Sequence, residues 1–117
     1  MIAALCFDPL PLFLAVRADP GLARTPLVSV EEQRVTHANA AAKRHGITPG
    51  MRLDGARMRV EGLRVVAYAE PDLQHAWEEL LRELSGRTPW VEAVARGRAL
   101  ARLEPDEAEA LAAVYGV

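Results

Sequence analysis

The clearest concentration of functional chemistry in the sequence is a run of cations between residues 34 and 64, which only Asp54 and Glu61 oppose. Its members are Arg34, Lys43, Arg44, Arg52, Arg57, Arg59 and Arg64. A guanidinium binds phosphate through paired N–H donors, whereas the ammonium of Lys43 acts as a point charge. The run predicts either a phosphate-binding surface or an ordinary solvated surface, and for Arg57 and Arg59 we favour the second.

Asp8 is the acidic residue best placed for either metal chemistry or helix capping. It follows the apolar run at 2–7 and precedes Pro9, a residue that is common in the first turn of helices. Its carboxylate therefore predicts an N-cap or a ligand for a divalent metal ion. Capping is the interpretation that we favour.

The histidines and the cysteine do not suggest a metal site. They lie in separate segments, at His37, His45, His75 and Cys6. A zinc site needs several such ligands brought together, so none is expected here. Cys6 stands in an apolar run and is expected to pack as a small hydrophobic residue. A single cysteine excludes an internal disulfide and fits a reducing cytoplasm.

Composition limits the class of protein. The chain has 117 residues, of which 50% are hydrophobic and 26% are charged, as expected for one globular domain over 1–117. The net charge of -2 gives no overall attraction to nucleic acid, so any attraction must come from the local run of cations. No apolar run could span a membrane, and the first residues lack the pattern of a signal peptide. We therefore expect a cytoplasmic protein.

The predicted elements alternate in an α+β order. Apolar runs predict strands at 2–7, 26–30, 33–38, 63–68, 90–95 and 99–103. Helices are predicted from Pro9 to the turn at 19–21 and at 39–45, 52–59, 71–85 and 105–115. We expect the first strand to be buried, Asn39 to cap the second helix, Gly46 to end it, and Glu31-Glu32 to form a tight turn. The order predicts a mixed or antiparallel sheet with helices packed on one face.

Four segments carry a recognisable pattern in a fixed order along the chain. They are DPLPLFLAVRADPGL (8–22), THANAAAKRHGITPGM (36–51), RLDGARMRVEGLRVVAY (52–68) and TPWVEAV (88–94). Together they resemble the N-terminal part of Y-family translesion DNA polymerases, especially the ImuB-like branch, from about residue 2 to about residue 104. The resemblance implies a palm-like domain with a small helical fingers insertion at about 37–62. It also implies thumb and little-finger domains that grip DNA, which this chain does not reach.

The resemblance also implies which residues stand at the family's functional positions. Asp8 occupies the position of the family's first metal-binding Asp. Gly97 and Arg98 occupy the positions of the Asp-Glu pair in the family's catalytic hairpin. A cation such as Arg98 repels Mg²⁺, so we expect the protein to be catalytically inactive and to bind no cofactor. Binding of Mg²⁺ is expected only if the metal site at Asp8 is retained. In the fingers, Ala40 and Lys43 occupy the positions of the Tyr and the Arg that contact the triphosphate in the family. Ala40 has no hydroxyl group with which to make that contact.

Three hypotheses follow from the sequence. The first is a catalytically inactive accessory domain in DNA repair or mutagenesis that binds a repair protein, or binds DNA weakly. The cations assigned to DNA are Arg34, Lys43, Arg44, Arg52 and Arg57. The second is a metal-dependent nucleotidyl-transfer remnant that combines Asp8 with carboxylates from a partner. The third is a stand-alone α+β interaction domain with no role in nucleic-acid binding, for which a dimer that closes an exposed sheet edge is one arrangement. The sequence leaves open the partner, the oligomeric state and whether another chain supplies the thumb and little-finger domains.

Overall fold

A computed structural model describes residues 1–115, and the chain divides into two compact units. The first unit contains Met1–Leu10 and the chain from Ala69 onward, and the second contains Pro11–Tyr68. The predicted order of strands and helices is confirmed, with one additional 3₁₀ helix at Pro20–Arg24. The fold is α+β, but its strands form two three-stranded sheets where one sheet is predicted. The single domain and the insertion at about 37–62 stay predictions.

The first unit is an antiparallel sheet with two helices. Its elements are β1 (Ile2–Cys6), α4 (Glu70–Ser85), β5 (Val91–Ala95), β6 (Arg98–Arg102) and α5 (Pro105–Tyr115). The strands lie in the order β1-β6-β5. The apolar stripe of α4 is buried as its spacing predicts, and its members are Leu73, Trp77, Leu80 and Leu84. The ring of Phe7 packs between Trp77 and Tyr115, with centroid separations of 6.1 and 5.8 Å.

The prediction that the first strand is buried throughout is wrong. Leu5 is buried and Phe7, just beyond the strand, is also buried, whereas Ile2 and Cys6 are exposed. The reason is that β1 lies at the edge of its sheet, and successive side chains of a strand point to opposite faces. The prediction that Cys6 packs as a small hydrophobic residue is wrong for the same reason.

The second unit contains a mixed sheet and three helices. Its elements are α1 (Leu10–Ala18, which starts at the boundary between the units), β2 (Leu27–Glu31), β3 (Arg34–Ala38), α2 (Ala40–Arg44), α3 (Leu53–Arg57) and β4 (Arg64–Val66). In this sheet β2 pairs antiparallel with β3 and parallel with β4. One apolar cluster lies where the sheet meets α2 and α3: Val28, Val35, Ala38, Ala42, Ile47 and Ala56. A second lies against α1: Leu12, Ala15, Leu22 and Leu27.

The turn between β2 and β3 differs from the prediction by one residue. The strands end at Glu31 and restart at Arg34, so Glu32 and Gln33 form the turn. Their φ angles are 51° and 64°, in the left-handed region that a two-residue hairpin turn requires. Neither residue is the Gly or Asn that usually marks such a turn, which explains the shift.

No helix in the described part of the chain has the length and apolar character of a membrane span.

Candidate functional site

Asn39 anchors the short helix α2, which carries two of the predicted phosphate ligands. Its Oδ1 accepts hydrogen bonds from the backbone N–H of Ala42 at 2.9 Å and of Leu27 at 3.1 Å. Its Nδ2 donates to the carbonyl of Thr25 at 2.8 Å. The predicted N-cap is therefore confirmed, and the same side chain ties α2 to the start of β2. Lys43, in the last turn of α2, is thus carried on an anchored helix.

Gly46 follows α2 in the left-handed conformation, with φ of 79°, as predicted for the residue that ends this helix. A Cβ atom at this position would lie 2.9 Å from Nη1 of Arg59. The guanidinium of Arg59 therefore lies directly against the C-terminal end of α2, where the helix dipole favours a cation. Arg59, which is exposed, therefore lies at the end of α2 and is not among the cations assigned to DNA.

The segment after the turn at residues 48–50 pairs with β3, an arrangement that the sequence does not predict. The N–H of Gly50 donates to the carbonyl of Val35 at 2.7 Å, and the N–H of Val35 donates to the carbonyl of Met51 at 2.8 Å. An antiparallel bridge then places Arg52 directly opposite Arg34. Two cations that are far apart in sequence are therefore held as neighbours by backbone hydrogen bonds.

This pair of arginines has no acidic partner in the described part of the chain. Nη1 of Arg34 donates to the carbonyl of Gly50 at 3.0 Å, which orients the guanidinium but leaves its charge unneutralised. The other predicted ligands are exposed and make no ion pair among residues 1–115: Lys43, Arg44, Arg52 and Arg57. Helix α2, which carries Lys43 and Arg44, and helix α3, which carries Arg57, both contact β3, the strand of Arg34.

The candidate metal position in the first unit has a different electrostatic character. Oδ2 of Asp8 accepts a hydrogen bond from Nε of Arg98 at 3.0 Å, and the two side chains form an ion pair. Gly97 occupies the tight turn between β5 and β6 with φ of 92°, and a Cβ there would lie 2.8 Å from Oδ1 of Asp8. The carbonyl of Gly97 accepts from the N–H of Phe7 at 2.6 Å. Asp8 is therefore held against this turn.

Asp8 does not occupy the N-cap position that we favour for it from the sequence. Helix α1 begins at Leu10, which places Pro9 at the capping position. The carboxylate of Asp8 instead binds Arg98, a residue far along the chain. A guanidinium brought close by the fold competes for the carboxylate with the orphan N–H groups of the helix, and sequence proximity alone cannot reveal that competitor.

The same turn carries a second ion pair. Arg96 binds both carboxylate oxygens of Glu70, and the contact from Nη2 to Oε2 measures 3.1 Å. The hydrogen bond and the charge of Arg96 lower the pKa of Glu70 below its ordinary value. Both arginines that flank Gly97 therefore have an acidic partner within the first unit.

The residues at this turn do not fit a site for two Mg²⁺ ions. Mg²⁺ requires oxygen ligands in near-octahedral geometry, and two-metal sites use several carboxylates. Here the single carboxylate of Asp8 is neutralised by a guanidinium, and Gly97 has no side chain. Within residues 1–115, no group of three or more His, Cys, Asp or Glu side chains is arranged to hold a metal ion.

A polar cluster in the second unit also escapes sequence analysis. Ser29 is 3% exposed, and its hydroxyl lies 2.8 Å from Oγ1 of Thr36 and 3.1 Å from Nδ1 of His37. These contacts satisfy the buried hydroxyl, and they show that His37 supports the β2–β3 pair. The residue spacing gives no signal for it, because cross-strand pairing brings the three together.

The profile of the impB/mucB/samB family matches residues 11–111 of this chain. No curated protein matches it.

Three solved structures share the fold. The chain is 19% identical to a Dbh ternary complex with partially disordered substrates, with a TM-score of 0.68, and the match covers 97% of this chain and 36% of that one. A Y-family DNA polymerase chimera of Dbh and Dpo4 is 18% identical, with a TM-score of 0.67 and coverage of 97% and 37%. DinB from Sulfolobus solfataricus is 19% identical, with a TM-score of 0.62 and coverage of 91% and 33%. The chain thus spans about a third of the length of these relatives.

Proposed function

The chain belongs to the impB/mucB/samB family, and we propose that it is a catalytically inactive Y-family polymerase-like domain that binds DNA weakly through its second unit. The observation that carries this proposal is the bridge that holds Arg34 opposite Arg52, where neither arginine forms an ion pair within residues 1–115. The same proposal includes three further points: that the chain belongs to the ImuB-like branch, that it acts in DNA repair or translesion mutagenesis, and that it binds other proteins of that process.

The electrostatics of the bridge support an anionic ligand. Like charges placed directly opposite each other on paired strands are destabilising. A phosphate between the two guanidinium groups relieves this repulsion and accepts charge-assisted hydrogen bonds from both. The backbone hydrogen bonds around Gly50 and Met51 hold the pair in place, so little ordering is needed when an anion binds.

We favour DNA over a single small anion because three further cations lie on α2 and α3, two helices that contact β3. Lys43 and Arg44 lie in the last turn of α2, and Arg57 lies in the last turn of α3. Each cation that neutralises a phosphate of duplex DNA releases counterions and contributes about -0.9 to the slope of log affinity against log salt. Five contacts or fewer imply a slope no steeper than about -4 to -5, and therefore weak binding with a clear salt dependence.

The proposal of inactivity rests on the pair formed by Asp8 and Arg98. Arg98 stands where the resemblance places a metal-binding carboxylate, and it neutralises the one carboxylate that stands at a matching position. A guanidinium cannot be deprotonated in a protein, so no change of pH near neutrality converts this position into a metal ligand. Transfer of a nucleotide by the usual two-metal route would need carboxylates that this turn does not provide.

The test of DNA binding is fluorescence anisotropy of a labelled primer–template at several salt concentrations between about 50 and 200 mM. We expect binding that weakens with salt and falls at least tenfold in the double variant Lys43→Glu, Arg44→Glu. Arg82→Glu, which reverses an exposed arginine of the first unit, is the control and should change the affinity less than threefold. Absence of binding at low salt, or equal losses in both variants, contradicts the proposal.

The test of inactivity is primer extension with all four deoxynucleoside triphosphates and Mg²⁺. We expect no templated extension by the chain, at protein concentrations that saturate the DNA. Template-directed extension that survives purification, and that Asp8→Asn abolishes, would contradict the inactivity without affecting the DNA-binding test.

A further inference from the structure

One end of the sheet in the first unit carries an exposed row of mixed apolar and cationic side chains. Ile2 on β1 pairs with Arg102 on β6, and the N–H of Arg102 donates to the carbonyl of Trp90 at 3.0 Å. These three residues line an open depression of about 190 Å³. Neighbouring positions on paired strands bring side chains within contact distance, so the row acts as one surface. We call these three residues the Trp90 row.

The Trp90 row is exposed, and backbone hydrogen bonds hold its strands together. Ile2 is 61% exposed and Trp90 is 40% exposed. The N-terminal ammonium of Met1 donates to the carbonyl of Leu103 at 2.9 Å, and the N–H of Leu103 donates back to Met1 at 2.8 Å, which fixes β1 beside β6. Arg102 makes no ion pair in the described part of the chain. Trp and Arg are both among the residue types enriched at the energetic centres of protein interfaces.

The chain offers a complementary surface close to this row. β6 ends at Arg102, and α5 begins three residues later with an acidic first turn. Glu107 is used locally, since its Oε1 accepts from the N–H of Glu104 at 3.4 Å. Asp106 and Glu109 are exposed and make no ion pair within residues 1–115. The exposed carboxylates at the start of α5 therefore follow the exposed Arg102 within a few residues, at the end of the first unit where β6 stops.

We propose that this end of the first unit is a self-association surface, and that its occupant is a second copy of this chain. In a two-fold arrangement the Trp90 row of each copy faces the acidic first turn of α5 in the other copy, so that Arg102 pairs with Asp106 across the interface twice. The apolar side chains of Ile2 and Trp90 supply the apolar area buried at the interface, and the two ion pairs fix how the two copies are aligned. This proposal is independent of the proposed function, because DNA is assigned to the second unit.

Sedimentation equilibrium of the whole chain tests the proposal in four samples. The wild type should reach twice the monomer mass as its concentration rises. Arg102→Glu alone and Asp106→Arg alone each place like charges at both contacts, and each should weaken association at least tenfold. An equimolar mixture of the two variants restores both pairs in a mixed dimer, with one pair reversed, and should associate nearly as well as the wild type.

Two further substitutions, one a control and one a test of the apolar contact, complete the experiment. Val94→Ala truncates a side chain that is 62% exposed on β5, outside the Trp90 row, and should leave association unchanged. Trp90→Ala should weaken association at least tenfold, and circular dichroism shows whether it folds. A chain that stays monomeric up to about 1 mM overturns the proposal, as does association that the single reversals leave intact. Failure of the mixture to associate also overturns it, because pairing of Arg102 with Asp106 is then not what joins the copies.

Discussion

Two pairs of arginines, one pair in each unit, differ in whether an acidic side chain neutralises their charge. In the first unit, Arg96 and Arg98 flank a tight turn, and each forms an ion pair with an acid of the same unit. In the second unit, Arg34 and Arg52 lie opposite each other, and neither forms an ion pair within the described residues. The same residue type thus holds the turn at Gly97 in one place and leaves charge available at the bridge of Arg34 and Arg52 in another.

This difference identifies where a ligand can act. A neutralised guanidinium gains little from a phosphate, because the phosphate must compete with a carboxylate that is already in place. Two like charges held together gain most, because the anion removes their repulsion. Counting cations along the sequence therefore overstates the number of available ligands, and the contacts of each one decide which remain.

The largest expected effect is a loss of stability on truncating a core side chain, because both units have a close-packed core. Leu84 in the first unit and Ile47 in the second are both fully buried. Leu84→Ala and Ile47→Ala should each lower the free energy of unfolding by about 2–5 kcal/mol, through lost burial and the cavity that remains. Urea unfolding measures the loss, with the exposed Val94→Ala as the control. A loss below about 1 kcal/mol at either core position would contradict the packing described here.

The second prediction compares the glycine turns of the two units. Gly97 and Gly50 share a φ of 92°, but a Cβ at Gly97 would lie 2.8 Å from Asp8, whereas nothing lies within 4 Å of one at Gly50. Gly50→Ala should cost about 1 kcal/mol from backbone strain alone. Gly97→Ala should cost about 2 kcal/mol or more, because Asp8 must also move. Equal losses in thermal unfolding would show that Asp8 does not press against this turn.

The third prediction concerns a variant in which the cation that neutralises Asp8 at the turn of the first unit is replaced by an acid. Arg98→Glu places a second carboxylate beside Asp8, and a divalent cation relieves their repulsion. We expect this variant to bind Mn²⁺, detected by paramagnetic broadening of amide signals near Asp8, at concentrations that leave the wild type unaffected. Arg98→Gln, which removes the cation without adding a ligand, should bind more weakly than Arg98→Glu. Equal broadening in the wild type and Arg98→Glu would refute this account of the site.

The smallest effect concerns pH. Arg96 lowers the pKa of Glu70 in the folded protein below the ordinary value of 4.5, so the carboxylate binds fewer protons there than in the unfolded chain. Its contribution to stability is full above that ordinary value and is lost as the pH falls through the folded pKa. Glu70→Gln should therefore slightly lower stability at neutral pH and flatten the decline below pH 4.5. Urea unfolding at several acidic pH values tests this, and an unchanged acid decline would argue against the pair.

Local signals in the sequence predict much of the fold. The spacing of Leu73, Trp77, Leu80 and Leu84 identifies the buried face of α4, and Asn39 and Gly46 mark the ends of α2. These predictions succeed because each depends on residues within a few positions of one another. The exposure of Cys6 was missed because it depends on the edge position of β1, which long-range pairing decides.

The candidate sites show the same limit. The sequence identifies which residues are cationic, and the resemblance identifies Arg98 as a departure from the family pattern. Neither identifies the partner of each charge. The bridge between Arg34 and Arg52 arises from pairing of the segment after Gly50 with β3, and the contact of Arg98 with Asp8 joins residues from opposite ends of the chain. Such contacts depend on the whole fold.

The most direct test of the central claim compares one charge reversal in each unit. Arg52→Glu removes a cation of the bridge, and Arg82→Glu reverses an exposed arginine on α4, so both variants change the net charge equally. Anisotropy of labelled primer–template DNA at low salt should show about a tenfold loss of affinity for Arg52→Glu, with a shallower salt slope, and less than a threefold loss for Arg82→Glu. Equal losses would mean that net charge alone governs binding, and would contradict a DNA surface in the second unit.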